Sequence, residues 1–470
     1  MLAVGDFMDT DLNAIKKVNT RNNLIFIADV VLFFILLNTL PFTPEANKSL
    51  ALLVFIAILW LTEALHVTVT ALLVPILGIL LGLVKSKEAL AAFADPTIFL
   101  FFGGFALATA LHIQNLDRLI ANKIMAMSHG KLSVAAIYLF AVTAFLSMWM
   151  SNTATAAMML PLAMGILSKL DPKRDHNTYV FVLLGIAYSA SIGGMGTLVG
   201  SPPNGIVATQ LGISFAEWMK YGLPIMLILM PLMIGVLYVV FRPKFDLQFE
   251  QSFEKIDLTP TRILTLIIFA LTATGWIFSS KINPALSSLL GLQSKIASFD
   301  TIIALIATAV ICITRIATWK QIQEGTEWGV LFLFGGGLTL SAILGNTGAS
   351  KIMADGIVAF IEGGHYYIIG LIVATFIIFL TEFTSNTASA ALLVPIFISI
   401  AEALNIQSLG LALIIGLGAS CAFMLPVATP PNAIVFGTGM LKQTEMVKAG
   451  FWLNIICVFV IGTIGYLFWF

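Results

Sequence analysis

Residues 151–161 read Ser-Asn-Thr-Ala-Thr-Ala-Ala-Met-Met-Leu-Pro, and residues 385–395 read Ser-Asn-Thr-Ala-Ser-Ala-Ala-Leu-Leu-Val-Pro, identical at 7 of 11 positions. Two further signals are doubled in the same order. Gly200-Ser201-Pro202-Pro203-Asn204-Gly205-Ile206-Val207 is echoed by Ala428-Thr429-Pro430-Pro431-Asn432-Ala433-Ile434-Val435. Upstream, Phe99-Leu100-Phe101-Phe102-Gly103-Gly104 is echoed by Phe332-Leu333-Phe334-Gly335-Gly336-Gly337. The offsets are 234, 228 and 233, so one ordered set of three interruptions occurs in each half. All of them lie in apolar surroundings. Non-helical backbone at such places is tolerable only where protein or a water-filled cavity surrounds it. Duplicated hydroxyl-amide and Pro-Pro breaks at membrane depth point to a secondary transporter with its site between the repeats.

Composition agrees that this is a membrane chain: 59% hydrophobic, 10% charged, mean hydropathy +1.00, far from the soluble average of about 25% charged. Apolar runs of about 20 residues recur along its length, the signature of spanning helices rather than of barrel strands. The expected fold is an all-α polytopic membrane protein. Eleven spans are predicted, at 23–41, 50–64, 67–84, 97–114, 178–210, 219–241, 261–280, 299–317, 328–345, 408–440 and 450–470. The runs at 178–210 and 408–440 are expected to break near Pro202-Pro203 and Pro430-Pro431. Stretches 133–168 and 366–401 carry Ser-Asn-Thr near their middles and read as re-entrant hairpins. The run at 23–41 reads as an uncleaved first helix.

With the N-terminus cytoplasmic, 17 of the 24 basic residues fall inside and 7 outside, as the positive-inside rule asks. Segment 1–22 is then a cytoplasmic N-terminal segment. Repeat 1 covers 50–241 with an inner hairpin, and repeat 2 covers 261–470 with an outer one. Five spans per repeat is an odd number, so the second repeat enters upside down and the two hairpin tips meet near the midplane. Residues 112–124 and 346–361 mix apolar and charged side chains at helical period and read as interfacial helices against membrane lipid.

A Ser-Asn-Thr tip offers two hydroxyls and an amide, and broken helix ends leave backbone groups without intrahelical partners. Neutral oxygens suit a hard monovalent cation, and half-helix N-termini attract carboxylates. The Pro-Pro-Asn breaks are expected to free carbonyls of the preceding turn. None of the four motifs contains Lys, Arg or His. A dianion brought to such a site needs opposite charge, so bound cations are its expected partner, and sodium suits neutral oxygens better than calcium or magnesium.

Outside the motifs, Glu63 is read as an interfacial residue able to pair with His66, and Asp29 as a packing contact in the first helix. Glu382 is read as lying outside the symmetric set, because Met148 holds the equivalent place. The cysteines Cys312, Cys421 and Cys457 read as core residues, the five scattered histidines argue against an intramembrane enzyme, and the opposed hairpins argue against a channel. Zero net charge implies no nucleic-acid partner.

These motifs, with Leu59-Trp60-Leu61-Thr62-Glu63-Ala64 and Cys421-Ala422-Phe423-Met424-Leu425-Pro426-Val427-Ala428, resemble the divalent-anion:sodium symporters, in particular the bacterial INDY-type dicarboxylate carriers. The resemblance runs from about residue 23 to the C-terminus. It implies a homodimer in the inner (plasma) membrane, with scaffold and transport parts interleaved across both repeats and an elevator mechanism. It implies one sodium held by Ser147, Ser151 and Asn152 with Gly200, and another held by Thr381, Ser385 and Asn386 with Ala428. The substrate carboxylates would meet Asn152, Thr153, Ser201, Asn386, Thr387, Thr429 and Pro430. The implied function is sodium-coupled import of C4-dicarboxylates such as succinate, malate and fumarate. The alternatives are a sodium-independent dicarboxylate exchanger, or a carrier of citrate or sulfate.

Overall fold

The computed structural model describes the backbone of residues 2–168, 170–245, 256–361 and 365–470, and the side chains of these from residue 20 onward, apart from 357–361. Of the basic residues counted toward orientation, Lys16, Lys17, Lys169 and Lys255 lie outside the described side chains. Among the described residues every element is a helix.

Many helix starts are written in the sequence. Helix α1 (Leu2–Thr39) runs into α2 (Pro44–Thr62), whose N-cap Thr43 accepts the Ala46 N–H while Pro44 takes the first turn. Next come α3 (Val67–Leu80), the short α4 (Ser86–Ala91) and α5 (Pro96–Ile113), capped by Asp95 ahead of Pro96. The two stretches read as interfacial are helical for most of their length, as α6 (Leu116–Ala126) in the first half and α17 below in the second. The first hairpin is α7 (Leu132–Ser147) and α8 (Asn152–Leu167). It is followed by a broken pair, α9 (His176–Gly194) and α10 (Pro202–Leu211), and then α11 (Phe215–Phe241), which opens on a Ser214–Glu217 capping box.

The second half repeats this order. After α12 (Pro260–Ile277) and α13 (Ser279–Leu289) come α14 (Phe299–Ile313), α15 (Trp319–Gly325), α16 (Trp328–Asn346) and α17 (Ala349–Ile361). The second hairpin is α18 (Tyr366–Leu380) and α19 (Asn386–Ala403), the second broken pair α20 (Ser408–Gly418) and α21 (Pro430–Phe436), and α22 (Gln443–Phe468) closes the fold.

Nine helices among the described residues are long and apolar enough to cross a membrane. The count differs from the eleven predicted spans for a physical reason. Helices α3 and α14 have only 14 and 15 residues and the Pro-Pro break leaves α20 with 11, so these three predicted spans drop out, while the hairpin arm α19, with 18 residues, joins the count; α9 of the first broken span, with 19 residues, stays in it. Contrary to the expectation above, the prolines do not open the turn before them. Pro202-Pro203 and Pro430-Pro431 instead begin α10 and α21, where a missing N–H costs nothing, and the chain leaves helix earlier, at Gly194 and Gly418.

Packing divides the helices into two groups. Helix α5 lies on α14 and α16 on α3, with α1, α2 and α12 beside them. Both arms of the first hairpin pack on α9 and both arms of the second on α20, with α11 and α22 completing that group. Equivalent residues exchange partners between halves. A Cβ on Gly103 of α5 would lie 2.5 Å from Ala304 Cβ of α14, and one on Gly336 of α16 would lie 2.6 Å from the Ala71 carbonyl of α3. Each pair is Gly against Ala, and 103 + 233 = 336 while 71 + 233 = 304. The glycines of the Phe-Leu-Phe motifs are therefore close-approach points. Their aromatic residues Phe101 and Phe334, also 233 apart, face each other with ring centroids 4.9 Å apart.

Candidate functional site

Both hairpin turns and both broken segments open onto one cavity of about 730 Å³. Asn152, Thr153, Ser201, Asn386, Thr387, Thr429 and Pro430 all line it, as do Ser151, Gly200, Ser385 and Ala428. Ser147 and Thr381 are fully buried just behind the wall. The structure thus brings to one cavity, or directly behind its wall, the residues that the family resemblance implies.

The first cluster is built around Asn152, the first residue of α8. Ser147 Oγ lies 2.6 Å from Asn152 Oδ1 and 2.7 Å from the Ala190 carbonyl. A hydroxyl has one proton, so one of these two close oxygen contacts has none within it. Further carbonyls converge here. A Cβ on Gly194 would lie 2.5 Å from Asn152 Oδ1 and 2.9 Å from the Gly200 carbonyl, and one on Gly200 would lie 2.6 Å from the Gly194 carbonyl and 2.9 Å from that of Ser147. Glycine at these positions leaves room for a small ion among oxygens that have too few protons to satisfy each other. Such a neutral oxygen shell fits sodium.

The second cluster repeats the first. Thr381 Oγ1 lies 2.6 Å from Asn386 Oδ1 and 2.9 Å from the Ala419 carbonyl. Ser151 and Ser385 have a further role that their motif does not announce: each is the N-cap of its hairpin's second arm, accepting from Ala154 N–H at 3.3 Å and Ala388 N–H at 3.4 Å. The caps aim the N-terminal ends of α8 and α19 into the cavity, where their free N–H groups favour anionic oxygen.

The asparagines after the prolines hold the broken segments closed. Asn204 Nδ2 donates to the carbonyls of Gly194 and Thr197, at 2.8 and 2.7 Å. Asn432 Nδ2 donates to those of Ala422 and Leu425, at 3.1 and 3.0 Å. All three positions are related by 228. These staples tie the end of one half-helix to the start of the next, a role the sequence motif located but did not reveal.

Three charged residues also line the cavity: Arg21, Glu63 and Glu327. The motifs themselves hold no cation, yet Arg21 stands on the wall of the same cavity. Glu63 caps α2 in the left-handed conformation (φ 49°), and His66 Nδ1 accepts from Thr68 N–H; among the described residues the two form no ion pair. Asp29 is buried, and neither of its carboxylate oxygens has a hydrogen-bond partner among the described residues.

Glu382 departs most from its sequence reading. It is 1% exposed. Its carboxylate accepts from the N–H groups of Phe423, Met424 and Leu425, at 2.7, 2.9 and 3.2 Å, and from Asn454 Nδ2 at 2.7 Å. It holds the segment that leads to Ala428. The signal in the sequence was a carboxylate in an apolar run, which is costly unless hydrogen-bonded.

The citrate-transporter family matches residues 57–416 and 301–470. The chain belongs to that family. The membership agrees with the resemblance to divalent-anion:sodium symporters drawn from the motifs. An uncharacterized transporter of Haemophilus influenzae is 72% identical, covering 96% of this chain and 97% of its own length. The sodium-dependent dicarboxylate transporter SdcS of Staphylococcus saprophyticus is 32% identical, covering 96% and 93%. Among solved structures, the YdaH transporter of Alcanivorax borkumensis matches with a TM-score of 0.57 at 12% identity, covering 81% of this chain and 88% of that one, a likeness of fold. The citrate-transporter family assignment makes this a multi-pass membrane transporter.

Proposed function

We propose that the protein imports C4-dicarboxylates such as succinate, malate and fumarate, coupled to sodium. The observation that carries this reading is the pair of matching oxygen clusters on one cavity. One sodium is assigned to Ser147, Ser151, Asn152 and Gly200, with the carbonyls of Ala190 and Gly194 completing the shell. The other is assigned to Thr381, Ser385, Asn386 and Ala428 with the Ala419 carbonyl. The substrate carboxylates are assigned to Asn152, Thr153 and Ser201 on one side and to Asn386, Thr387, Thr429 and Pro430 on the other.

Each bound sodium supplies the charge that lets a dianion leave water, so neither is held well without the other. The reading extends to the whole molecule. Residues 50–241 and 261–470 are inverted repeats, the N-terminus is cytoplasmic, and the protein works as a homodimer in the inner membrane. The group containing α5, α14, α3 and α16 is the fixed scaffold. The group around α9 and α20, with both hairpins, is the part that moves as an elevator. Arg21, Glu63 and Glu327 fall at cytoplasmic helix ends under this orientation, so the cavity opens to the cytoplasm.

The test is uptake of labelled succinate into liposomes holding the purified protein, with sodium or choline outside, against a panel of unlabelled malate, fumarate, citrate and sulfate. Sodium-driven uptake displaced by C4-dicarboxylates is expected. Uptake indifferent to sodium but requiring internal dicarboxylate would replace symport with exchange, and displacement by citrate or sulfate alone would replace the substrate class.

A further inference from the structure

The carbonyls of Met195 and Phe423 hold equivalent places, 228 residues apart, in the irregular backbone between the half-helices of each broken pair. A glycine of the helix that follows approaches each one. A Cβ on Gly222 of α11 would lie 2.2 Å from the Met195 carbonyl oxygen, and one on Gly450 of α22 would lie 2.4 Å from that of Phe423. A buried carbonyl needs a donor, and here the halves part. Met195 receives Trp218 Nε1 at 3.0 Å, from α11 of its own half. The counterpart of Trp218 in the second half is Met446, whose thioether has no proton to give. Phe423 receives instead the Tyr188 hydroxyl, at 2.6 Å, from α9 of the other half. The counterpart of Tyr188 is Gly416, which has no side chain to return the contact.

This crossing bond has one oxygen cluster at each end. Tyr188 is fully buried and stands two residues before Ala190, whose carbonyl lies 2.7 Å from Ser147 Oγ in the first cluster. Phe423 is fully buried as well. Its N–H donates to Glu382 Oε1 at 2.7 Å, and Glu382 follows Thr381, whose hydroxyl lies 2.6 Å from Asn386 Oδ1 in the second cluster. The Tyr188 and Phe423 rings also meet edge to face, with centroids 5.0 Å apart. Eleven residues separate α20 from α21, against seven between α9 and α10, so more of the second segment relies on side chains for its hydrogen bonds. A longer contact joins the same two segments, Ser201 Oγ to Ser420 Oγ at 3.4 Å.

We infer that Tyr188 is a positioning residue that couples the two clusters: by fixing the Phe423 carbonyl from α9, it makes a cation bound at either cluster favour binding at the other. This rests on the assignment of sodium to both clusters and adds the residue through which the two sites act together. A cation at the first cluster fixes the Ala190 end of α9 and with it the Tyr188 hydroxyl. The second segment is then held at Phe423 by both its carbonyl and its N–H, so less ordering is left for the second cation to impose. The benefit is reciprocal, because a coupling free energy belongs to the pair of sites.

The test uses sodium alone on the purified full-length protein, with no organic substrate, so its outcome is independent of the substrate assignment. Radioactive sodium should bind at two ions per chain with a Hill coefficient of about 1.5, and Tyr188→Phe should keep two ions while bringing the coefficient to about 1. Trp218→Phe, which removes the donor that serves Met195 from its own half, should leave the coefficient at about 1.5. In Asn386→Ala, which keeps only the first cluster, adding Tyr188→Phe should change sodium affinity by less than about twofold.

A second measurement leaves Tyr188 in place and so holds even where Tyr188→Phe does not fold. In Asn386→Ala, sodium at the first cluster should slow amide hydrogen exchange across residues 419–429 of the other half by about 3-fold or more. A Hill coefficient unmoved by Tyr188→Phe, or exchange across 419–429 indifferent to sodium in Asn386→Ala, overturns the coupling and leaves the sodium assignment standing. An unaltered protein that takes up no sodium overturns that assignment, and the coupling with it.

Discussion

The two oxygen clusters share their central asparagine and differ in how the broken segment is fastened to the hairpin. In the first, Thr197 Oγ1 on the segment donates to the Met148 carbonyl on the hairpin turn. In the second, the segment again donates and the hairpin turn accepts, but backbone and side chain have changed places. Glu382 stands where Met148 stands and accepts three consecutive N–H groups, while Leu425 holds the place of Thr197. The first site is also lined by Gly194 and Gly200, whose counterparts are Ala422 and Ala428. One scaffold of backbone thus carries a loosely pinned, glycine-lined pocket and a tightly pinned, alanine-lined one. The oxygen-bearing side chains match between the halves, and the fastening does not.

If both clusters are needed, Asn152→Ala and Asn386→Ala should each lower sodium-driven uptake by at least about 100-fold, with the protein still eluting as folded material. Near-wild-type uptake in either one would remove that cluster from the mechanism. Gly200→Ala should come next. Its Cβ would sit 2.6 Å from the Gly194 carbonyl, and roughly a tenfold rise in the sodium concentration for half-maximal uptake is expected, against less than about twofold for Ala428→Gly. Equal effects in the two would show that the pockets are less different than their linings.

Stability should separate the fastenings. Glu382→Leu leaves three N–H groups and the Asn454 amide without their acceptor and should destabilise by about 3 kcal/mol or more, seen as a fall in Tm in detergent. Thr197→Val removes one hydrogen bond from the first site and should cost about 1 kcal/mol in the same measurement. A larger loss for Thr197→Val than for Glu382→Leu would invert the comparison.

The sequence exposes what is local and doubled. Ser-Asn-Thr, Pro-Pro-Asn and Phe-Leu-Phe-Gly-Gly announce the hairpins, the breaks and the close helix crossings because each depends on a few adjacent residues. It hides what joins distant segments. Glu382 lies more than 40 residues from the N–H groups it binds, and its lack of a twin made it look peripheral, although that asymmetry is what distinguishes the second site. Asn204 and Asn432 were visible as motif members, while their use as staples depends on carbonyls 7 and 10 residues upstream across irregular backbone. The prolines show the same limit. Their effect on the preceding turn and their fitness for a helix start both follow from the missing N–H, and only the path of the chain selects between them. Arg21, Glu63 and Glu327 come from three separate segments, and no spacing rule links them to the cavity.

The crossed pairing of Gly103 with Ala304 and of Gly336 with Ala71 has a consequence for biosynthesis. Until α14 has been synthesised, Gly103 of α5 lacks the Ala304 surface it packs on, while Gly104 already has Val199 of its own half. A product ending before Phe299 would leave Gly103 of α5 without the helix it packs against.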